Sequence, residues 1–222
     1  MAASRADLTT GRFEDRRDAG RRLGAALRPL ASRRPVVVAV PRGGVPVGRE
    51  VADALGAPLE ILAVRKLGAP RNPEYGIGAI AEDGTGVFDP EALAVLGIDG
   101  GVLDSIVARE TAELRRRVAA YRGGRPPTTV DGRTTIAVDD GVATGVTDTA
   151  ALRALRRMRP ARLILAVPVC ALDSAARLRE EADEVICLAE PARLCGVGQW
   201  YRDFSQVSDE DVIAALGTAS PS

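Results

Sequence analysis

The chain has 222 residues, 46% of them hydrophobic, and its 30 basic and 30 acidic side chains cancel. That length and apolar content suffice to bury a full core, so residues 1–222 are expected to form a single domain, and the balanced charge gives no net field toward nucleic acid or anionic lipid. There is no histidine, which removes Ser–His and Cys–His nucleophiles and ordinary zinc chemistry and leaves acid–base work to carboxylates, Tyr and the single lysine, Lys66.

Met1 to Thr10 lack the charged-then-apolar pattern of a signal peptide and no long apolar run follows, so a cytoplasmic protein without membrane contact is expected. In the Arg-rich stretch 5–34, Ala19, Leu23, Ala26, Leu27 and Leu30 recur at helical spacing, which predicts an amphipathic helix with a solvated Arg face. Val36 to Val40 form a continuous apolar run, the pattern of a central parallel strand, closed by Pro41-Arg42-Gly43-Gly44. A helix follows from Val45 to Leu55 with Gly56 as its stop. Gly43, Gly44 and Gly48 do not make G-x-G-x-x-G, which argues against a dinucleotide fold.

Leu59 to Val64 read as the second strand, and residues 65–76, rich in Gly, Pro and cations, read as a flexible lid. Gly78 to Ala81 and Gly86 to Phe88 suggest a strand with a short hairpin arm, and Asp104 to Tyr121 a packing helix. Ile136 to Val138 make a buried strand that stops at Asp139 and Asp140; Gly141 to Gly145 make a small-residue turn, and Asp148 to Met158 a helix. Strand 162–167, helix 173–182 and strand 184–188 complete an α/β pattern: a Rossmann-like parallel sheet with helices on both faces. The tail from Cys195 to Phe204 carries the only Trp beside a Tyr, aromatics that either plug the core or face a ligand, before a capped helix at 208–216. Cys170, Cys187 and Cys195 lack metal-ligand spacing and read as reduced, mostly buried thiols.

Paired acids at a strand end often mark only a solvated turn. What lifts this pair is the order of chemical types, because vicinal carboxylates suit ribose hydroxyls and the amides and hydroxyls that follow suit a phosphate one sugar away. The stretch Val138-Asp139-Asp140-Gly141-Val142-Ala143-Thr144-Gly145 resembles the PRPP-binding motif of type I phosphoribosyltransferases, with Gly141 standing where an aliphatic residue or Ser is usual. Arg42-Gly43-Gly44 resembles the family's pyrophosphate loop, Arg65-Lys66 with Gly68 and Glu74-Tyr75-Gly76 resemble adenine-type members, with a shorter loop between, and Val197-Gly198 followed by aromatics resembles the hood of hypoxanthine-type members.

The resemblance implies a phosphoribosyltransferase fold with strand order 3-2-1-4-5, a C-terminal hood near 189–207, Mg²⁺ as cofactor, and PRPP and a nitrogenous base as substrates; it leaves the oligomeric state open, a homodimer being common in the family. It implies that Asp139 and Asp140 face the ribose hydroxyls, and that Val142, Ala143, Thr144, Gly145, Val146 and Thr147 wrap the 5′-phosphate. Arg42 with the Gly43 and Gly44 amides would hold departing pyrophosphate, with Arg65, Lys66 and Arg71 closing over it, and Glu74 would exchange a proton with the base. Trp200 or Tyr201 would stack on the base and Gln199 or Asp203 would read it; Ala143, where 6-oxopurine enzymes carry an acid, points away from hypoxanthine and guanine. A PRPP-binding regulator and a nucleotide-cleaving enzyme of the same fold are the alternatives.

Overall fold

The computed structural model describes residues 11–69 and 72–217. Along the chain these form α1 (Arg16–Leu27), β1 (Val36–Ala39), α2 (Gly44–Leu55), β2 (Leu59–Ile61), β3 (Val64–Ala69), β4 (Asn72–Ala81), β5 (Gly86–Phe88), α3 (Pro90–Val95), α4 (Gly100–Arg122), β6 (Thr134–Val138), α5 (Val146–Arg157), β7 (Arg162–Val169), α6 (Leu172–Leu178), β8 (Glu184–Ala189) and α7 (Asp209–Gly217). Single 3-10 segments cover Arg28–Arg33 and Val197–Trp200. Helix α3 escaped the sequence reading although its start is marked by Asp89, which accepts from the Glu91 and Ala92 amides, followed by Pro90.

The apolar runs become a five-stranded parallel sheet in the order β2-β1-β6-β7-β8. Strand alternation divides its side chains between two cores. Val37, Ala39, Ile136, Val138 and Ile164 pack with α1 and α2, and Val36, Val38, Ala137, Leu163 and Leu165 pack with α5 and α6. Helices on both faces of a parallel sheet are the expected α/β class. Among the described residues no helix is long and apolar enough to cross a membrane.

Three expectations about the middle of the chain are corrected. Counted along the chain, the parallel sheet reads 2-1-3-4-5 and not 3-2-1-4-5, because the strand through Gly78–Ala81 lies in a separate antiparallel sheet, β3-β4-β5. The strand starting at Leu59 does not run to Val64: it ends at Ile61, and the chain turns at Leu62 and Ala63. The Ala63 amide donates to the Glu82 carboxylate at 3.0 Å and the Glu82 amide to the Ala63 carbonyl at 3.0 Å. The outer edge of β2 is met by Arg122 Nη2 on the Ile61 carbonyl and by the Thr128 amide on the Glu60 carboxylate, so no further strand is needed there. Residues 65–69 and 72–76, read as an irregular loop, are arms of this antiparallel hairpin, with Lys66 opposite Ala79.

Helix α1 packs on α2 through glycines that the hydrophobic spacing overlooked. Its buried face is Ala19, Gly20, Leu23, Gly24 and Leu27, while Ala26 is exposed. A Cβ on Gly20 would lie 2.8 Å from both the Glu50 Cβ and the Val47 carbonyl oxygen, and one on Gly24 would lie 2.7 Å from the Ala54 Cβ. In a free helix Gly→Ala gains ~1 kcal/mol. Here the backbone oxygen cannot step aside, so overpacking outweighs that gain, and Gly20→Ala is expected to cost a net ~1–2 kcal/mol of unfolding free energy. Urea titration checks it, and wild-type stability would show that α1 has room to move away from α2.

Candidate active site

Strand order reverses between β1 and β6, and the loops leaving their C-terminal ends touch. A Cβ on Gly43 would fall inside the Asp140 carboxylate, and one on Gly44 would lie 2.7 Å from the Val138 carbonyl oxygen and 2.9 Å from Asp139 Cα. The Arg-Gly-Gly glycines are therefore demanded by the approach of the second loop. The Pro41–Arg42 peptide is cis. The expectation that both glycine amides face pyrophosphate is corrected: the Gly44 amide opens α2 and donates to the Val40 carbonyl at 3.0 Å. Among the described residues the Arg42 and Gly43 amides have no protein acceptor. The half-exposed Arg42 guanidinium turns toward Asp209 at the start of α7, 3.7 Å away, and Asp209 also accepts from the Tyr121 hydroxyl at 2.6 Å.

Asp139 and Asp140 sit at the head of β6, and a third carboxylate that the sequence reading left out, Asp148, joins them from the first turn of α5. Asp139 Oδ1 accepts the Asp140 amide at 2.7 Å. Asp140 Oδ2 accepts from Arg16 Nε at 2.8 Å, and both side chains are largely buried. Arg16 belongs to the Arg face of α1 that was read as solvated; instead its guanidinium lies 3.8 Å over the Phe204 ring and its Nη1 donates to the Ser205 carbonyl at 2.7 Å. Asp148 is 4% exposed and its Oδ1 has no hydrogen-bond partner. Burial, and then the charges of Asp140 and Asp148, hold Asp139 well above the usual carboxylate range. Burial raises Asp140 too, against the opposing pull of Arg16, and pushes Asp148 up to about 7.

The loop after the carboxylates has the shape of an anion cradle. Gly141 has φ +156°, and a Cβ there would meet Val197 Cγ1 at 2.6 Å and Val169 Cγ1 at 2.8 Å. Its departure from the family pattern thus follows from the C-terminal segment packing on this turn. Gly145, at φ +77°, turns the chain into α5. Among the described residues, the amides of Ala143, Thr144, Gly145, Val146 and Thr147 donate to no protein atom. Thr144 is exposed, and Thr147 is half-buried in the first turn of α5.

The remaining expected residues separate. Arg65 and Lys66, adjacent on β3, point to opposite faces. Arg65 Nε pairs with Glu110 of α4 at 2.8 Å, so the structure commits it to that helix, whereas Lys66 is exposed and its stem crosses Gly76, where a Cβ would lie 2.6 Å from Lys66 Cε. Glu74 is in β4 by its backbone; its side chain and Arg71 lie outside the described residues. In the tail, Tyr201 is core: it is 3% exposed, its ring packs between Phe13 and Phe204, and its hydroxyl donates to the Asp140 carbonyl at 2.5 Å. Trp200 is half-buried against the core and Gln199 is exposed. Asp203 is exposed, and its carboxylate accepts the Ser205 amide at 2.9 Å and also the Ser205 hydroxyl. Of the cysteines only Cys170 is fully buried; Cys187 is half-buried and Cys195 exposed.

A family model described as a phosphoribosyl transferase domain matches residues 18–197. Two Mycobacterium tuberculosis proteins, MT0597 of strain CDC 1551 and Rv0571c of strain H37Rv, carry provisional names as phosphoribosyl transferases. Each is 45% identical over 207 residues, 93% of this chain. The chain spans 47%, about half, of the length of each of these relatives. The crystal structure of TT1426 from Thermus thermophilus superposes with a TM-score of 0.77 at 45% identity, covering 92% of this chain and 97% of that one.

The carboxylate cluster has a sign that can be checked. A carboxyl whose folded pKa lies near 7 keeps its proton in the folded state where the unfolded chain, near 3.9, has released it, so the stability this group confers is lost as pH rises from about 4 to about 7. Asp148→Asn is then expected to raise Tm by several degrees at pH 8 and by little at pH 4.5. Equal shifts at both pH values in thermal melts would place the charge of Asp148 elsewhere.

Proposed function

This chain belongs to the phosphoribosyl transferase family, and from that premise we propose that it transfers the 5-phosphoribosyl group of PRPP to a nitrogenous base with release of pyrophosphate, or runs the reverse pyrophosphorolysis. The observation that carries the reading is the convergence of the Asp139 and Asp140 carboxylates, the unengaged amides of residues 143–147 and the Arg42-Gly43-Gly44 loop at one strand crossover. In the reaction C1′–O to pyrophosphate breaks and C1′–N to the base forms, through an oxocarbenium-like centre. The protein contributes chiefly position and charge.

Asp139 and Asp140 accept from the ribose hydroxyls, which replaces carboxylate repulsion with hydrogen bonds. The cradle 143–147 seats the 5′-phosphate on the N-terminus of α5. The Arg42 and Gly43 amides, the Arg42 guanidinium once it leaves Asp209, and Lys66 with Arg71 hold the leaving pyrophosphate. Glu74 takes the proton of the acceptor base, and Gln199 and Trp200 border the base from the tail. Tyr201 and Asp203 support the site from behind, Tyr201 through the Asp140 carbonyl.

No cluster of three or more His, Cys, Asp or Glu among the described residues is disposed to hold a metal ion. The donors present fit Mg²⁺: Asp139 and Asp140 would hold an ion brought by PRPP, through ribose hydroxyls or water. When bound, it supplies charge neutralisation of the pyrophosphate oxygens.

One observation favours a second reading, a PRPP-binding regulator: Arg42 and Arg65, two of the cations assigned to pyrophosphate, are each paired with an acid of the protein's own. Pyrophosphate release from PRPP and Mg²⁺ across purine, pyrimidine and other nitrogen-heterocycle acceptors separates the two, with PRPP binding followed in parallel. Release that depends on one acceptor is expected. Binding without release throughout would favour the regulator, and loss of both would end the PRPP reading. Asp140→Asn is expected to weaken PRPP binding about tenfold or more, whereas Lys66→Ala should leave binding intact and slow turnover; calorimetry and initial rates check both.

A further inference from the structure

The cradle is held open from outside the cleft. Its four consecutive carbonyls are each engaged on the far side: Val142 by the Ala171 amide at 2.9 Å, Ala143 by the Ser174 hydroxyl at 2.7 Å, Thr144 by Arg177 Nη2 at 3.1 Å, and Gly145 by the Thr149 amide and hydroxyl, both at 2.8 Å. The amides of residues 143–147, as noted, have no protein acceptor. A peptide whose carbonyl is tied on one side presents its N–H on the other, so these bonds turn a row of N–H groups away from the tied side.

Two of the ties come from side chains of α6 rather than from the loop. Ser174 is 2% exposed, and its hydroxyl reaches a carbonyl thirty-one positions away instead of one in its own helix turn. The same oxygen accepts from Arg177 Nη2 at 2.9 Å. With that acceptor site filled, the Ser174 proton is directed onto Ala143. Arg177 thus bridges Ser174 and the Thr144 carbonyl and fixes two peptides at once.

We propose that Ser174 and Arg177 are positioning residues that set the affinity of the 143–147 cradle for a 5′-phosphoryl group by pinning the Ala143 and Thr144 carbonyls away from it. The inference rests on the reading of this loop as the 5′-phosphate site. Without these ties the Ala143–Thr144 and Thr144–Gly145 peptides are free to rotate and turn a carbonyl oxygen toward the phosphate. Only the fraction of molecules with every N–H inward then binds, and apparent affinity falls by that fraction.

The test is calorimetric titration of the full chain with ribose 5-phosphate and, separately, with pyrophosphate, in Mg²⁺ at fixed salt, for wild type, Ser174→Ala, Arg177→Ala and Arg177→Gln. Ser174→Ala and Arg177→Ala are expected to bind ribose 5-phosphate about tenfold to a hundredfold more weakly while pyrophosphate affinity stays at the wild-type value. Arg177→Gln, which keeps an N–H donor without the charge, is expected to recover most of the loss. In turnover, the KM for PRPP should rise with kcat nearly unchanged.

Ribose 5-phosphate affinity unchanged in both alanine variants would overturn the proposal. Equal loss of both ligands would also overturn it, since that is what general loosening of the fold gives. Arg177→Gln as weak as Arg177→Ala would assign the effect to charge instead of pinning and overturn it too. Wild-type protein that binds neither PRPP nor ribose 5-phosphate would instead sink the 5′-phosphate reading on which the proposal stands, before any variant is compared.

Discussion

One guanidinium, that of Arg16, meets the two carboxylates at the head of β6, and a third, Asp148, lies beside them in α5. Asp140 and Asp148 raise the proton affinity of Asp139, Asp140 raises that of Asp148, and Arg16 is hydrogen-bonded to Asp140. Buried like charges are costly unless paired or hydrogen-bonded, so the surroundings are arranged to limit that cost. Arg16 engages Asp140, the Asp140 amide engages Asp139, and Asp148, with its pKa pushed up to about 7, keeps its proton below neutral pH. The glycines of the neighbouring loop follow from the same constraint, because any side chain on Gly43 would displace the Asp140 carboxylate from its guanidinium. On the proposed function, a ribose with vicinal hydroxyls would add donors where the protein supplies too few.

The position of Arg16 depends in turn on both ends of the described chain. The Phe13 amide donates to the Trp200 carbonyl at 2.7 Å, the Arg202 amide to the Phe13 carbonyl at 2.8 Å, and the Asp203 amide to the Glu14 carbonyl at 2.8 Å. This short pairing fixes the chain just ahead of α1, while Phe13, Tyr201 and Phe204 stack into one apolar wedge beneath it. Tyr201 therefore cannot stack on a base without dismantling the support of Asp140. Its hydroxyl already holds the Asp140 carbonyl. The tail aromatics thus stabilise the Asp140 end of β6, while Gln199 is exposed and Trp200 half-buried.

The sequence was most legible where chemistry and burial are local. Central parallel strands are buried on both faces, so Val36–Val40 and Ile136–Val138 could be read as continuous apolar runs, and the carboxylates and small residues after the second run could be read as a site. What stayed hidden is non-local. Arg16 meets Asp140 across 124 positions, and nothing in the periodicity of α1 separates it from Arg17 or Arg21. Ser174 and Arg177 have no motif because their partners are backbone carbonyls. Gly20 and Gly24 dropped out of an apolar count although their missing side chains define the helix contact. The β3–β4 hairpin reads as a loop because Gly, Pro and charged residues suppress the strand signal, and the antiparallel pairing that satisfies its backbone does not show in composition.

That hairpin also separates Arg65 from Lys66. In a loop, Arg65 and Lys66 could both turn toward the same anion; in a strand, adjacent side chains alternate, so one backbone orientation presents only one of them. Arg65 lies on the same face as the buried Leu67 and Ala69 and is anchored to Glu110 of α4, itself largely buried. Lys66 lies on the opposite face, exposed, with its stem across Gly76 and no ion pair of its own among the described residues. The two cations thus divide the work by geometry. The Arg65–Glu110 pair fastens the hairpin to α4, and Lys66, the only lysine of the chain, keeps its ammonium exposed; on the proposed function it would meet the ligand. The Arg-Lys order becomes intelligible on that basis: the rigid, bidentate guanidinium suits a fixed partner, and the compact ammonium on a long flexible stem suits one that comes and goes.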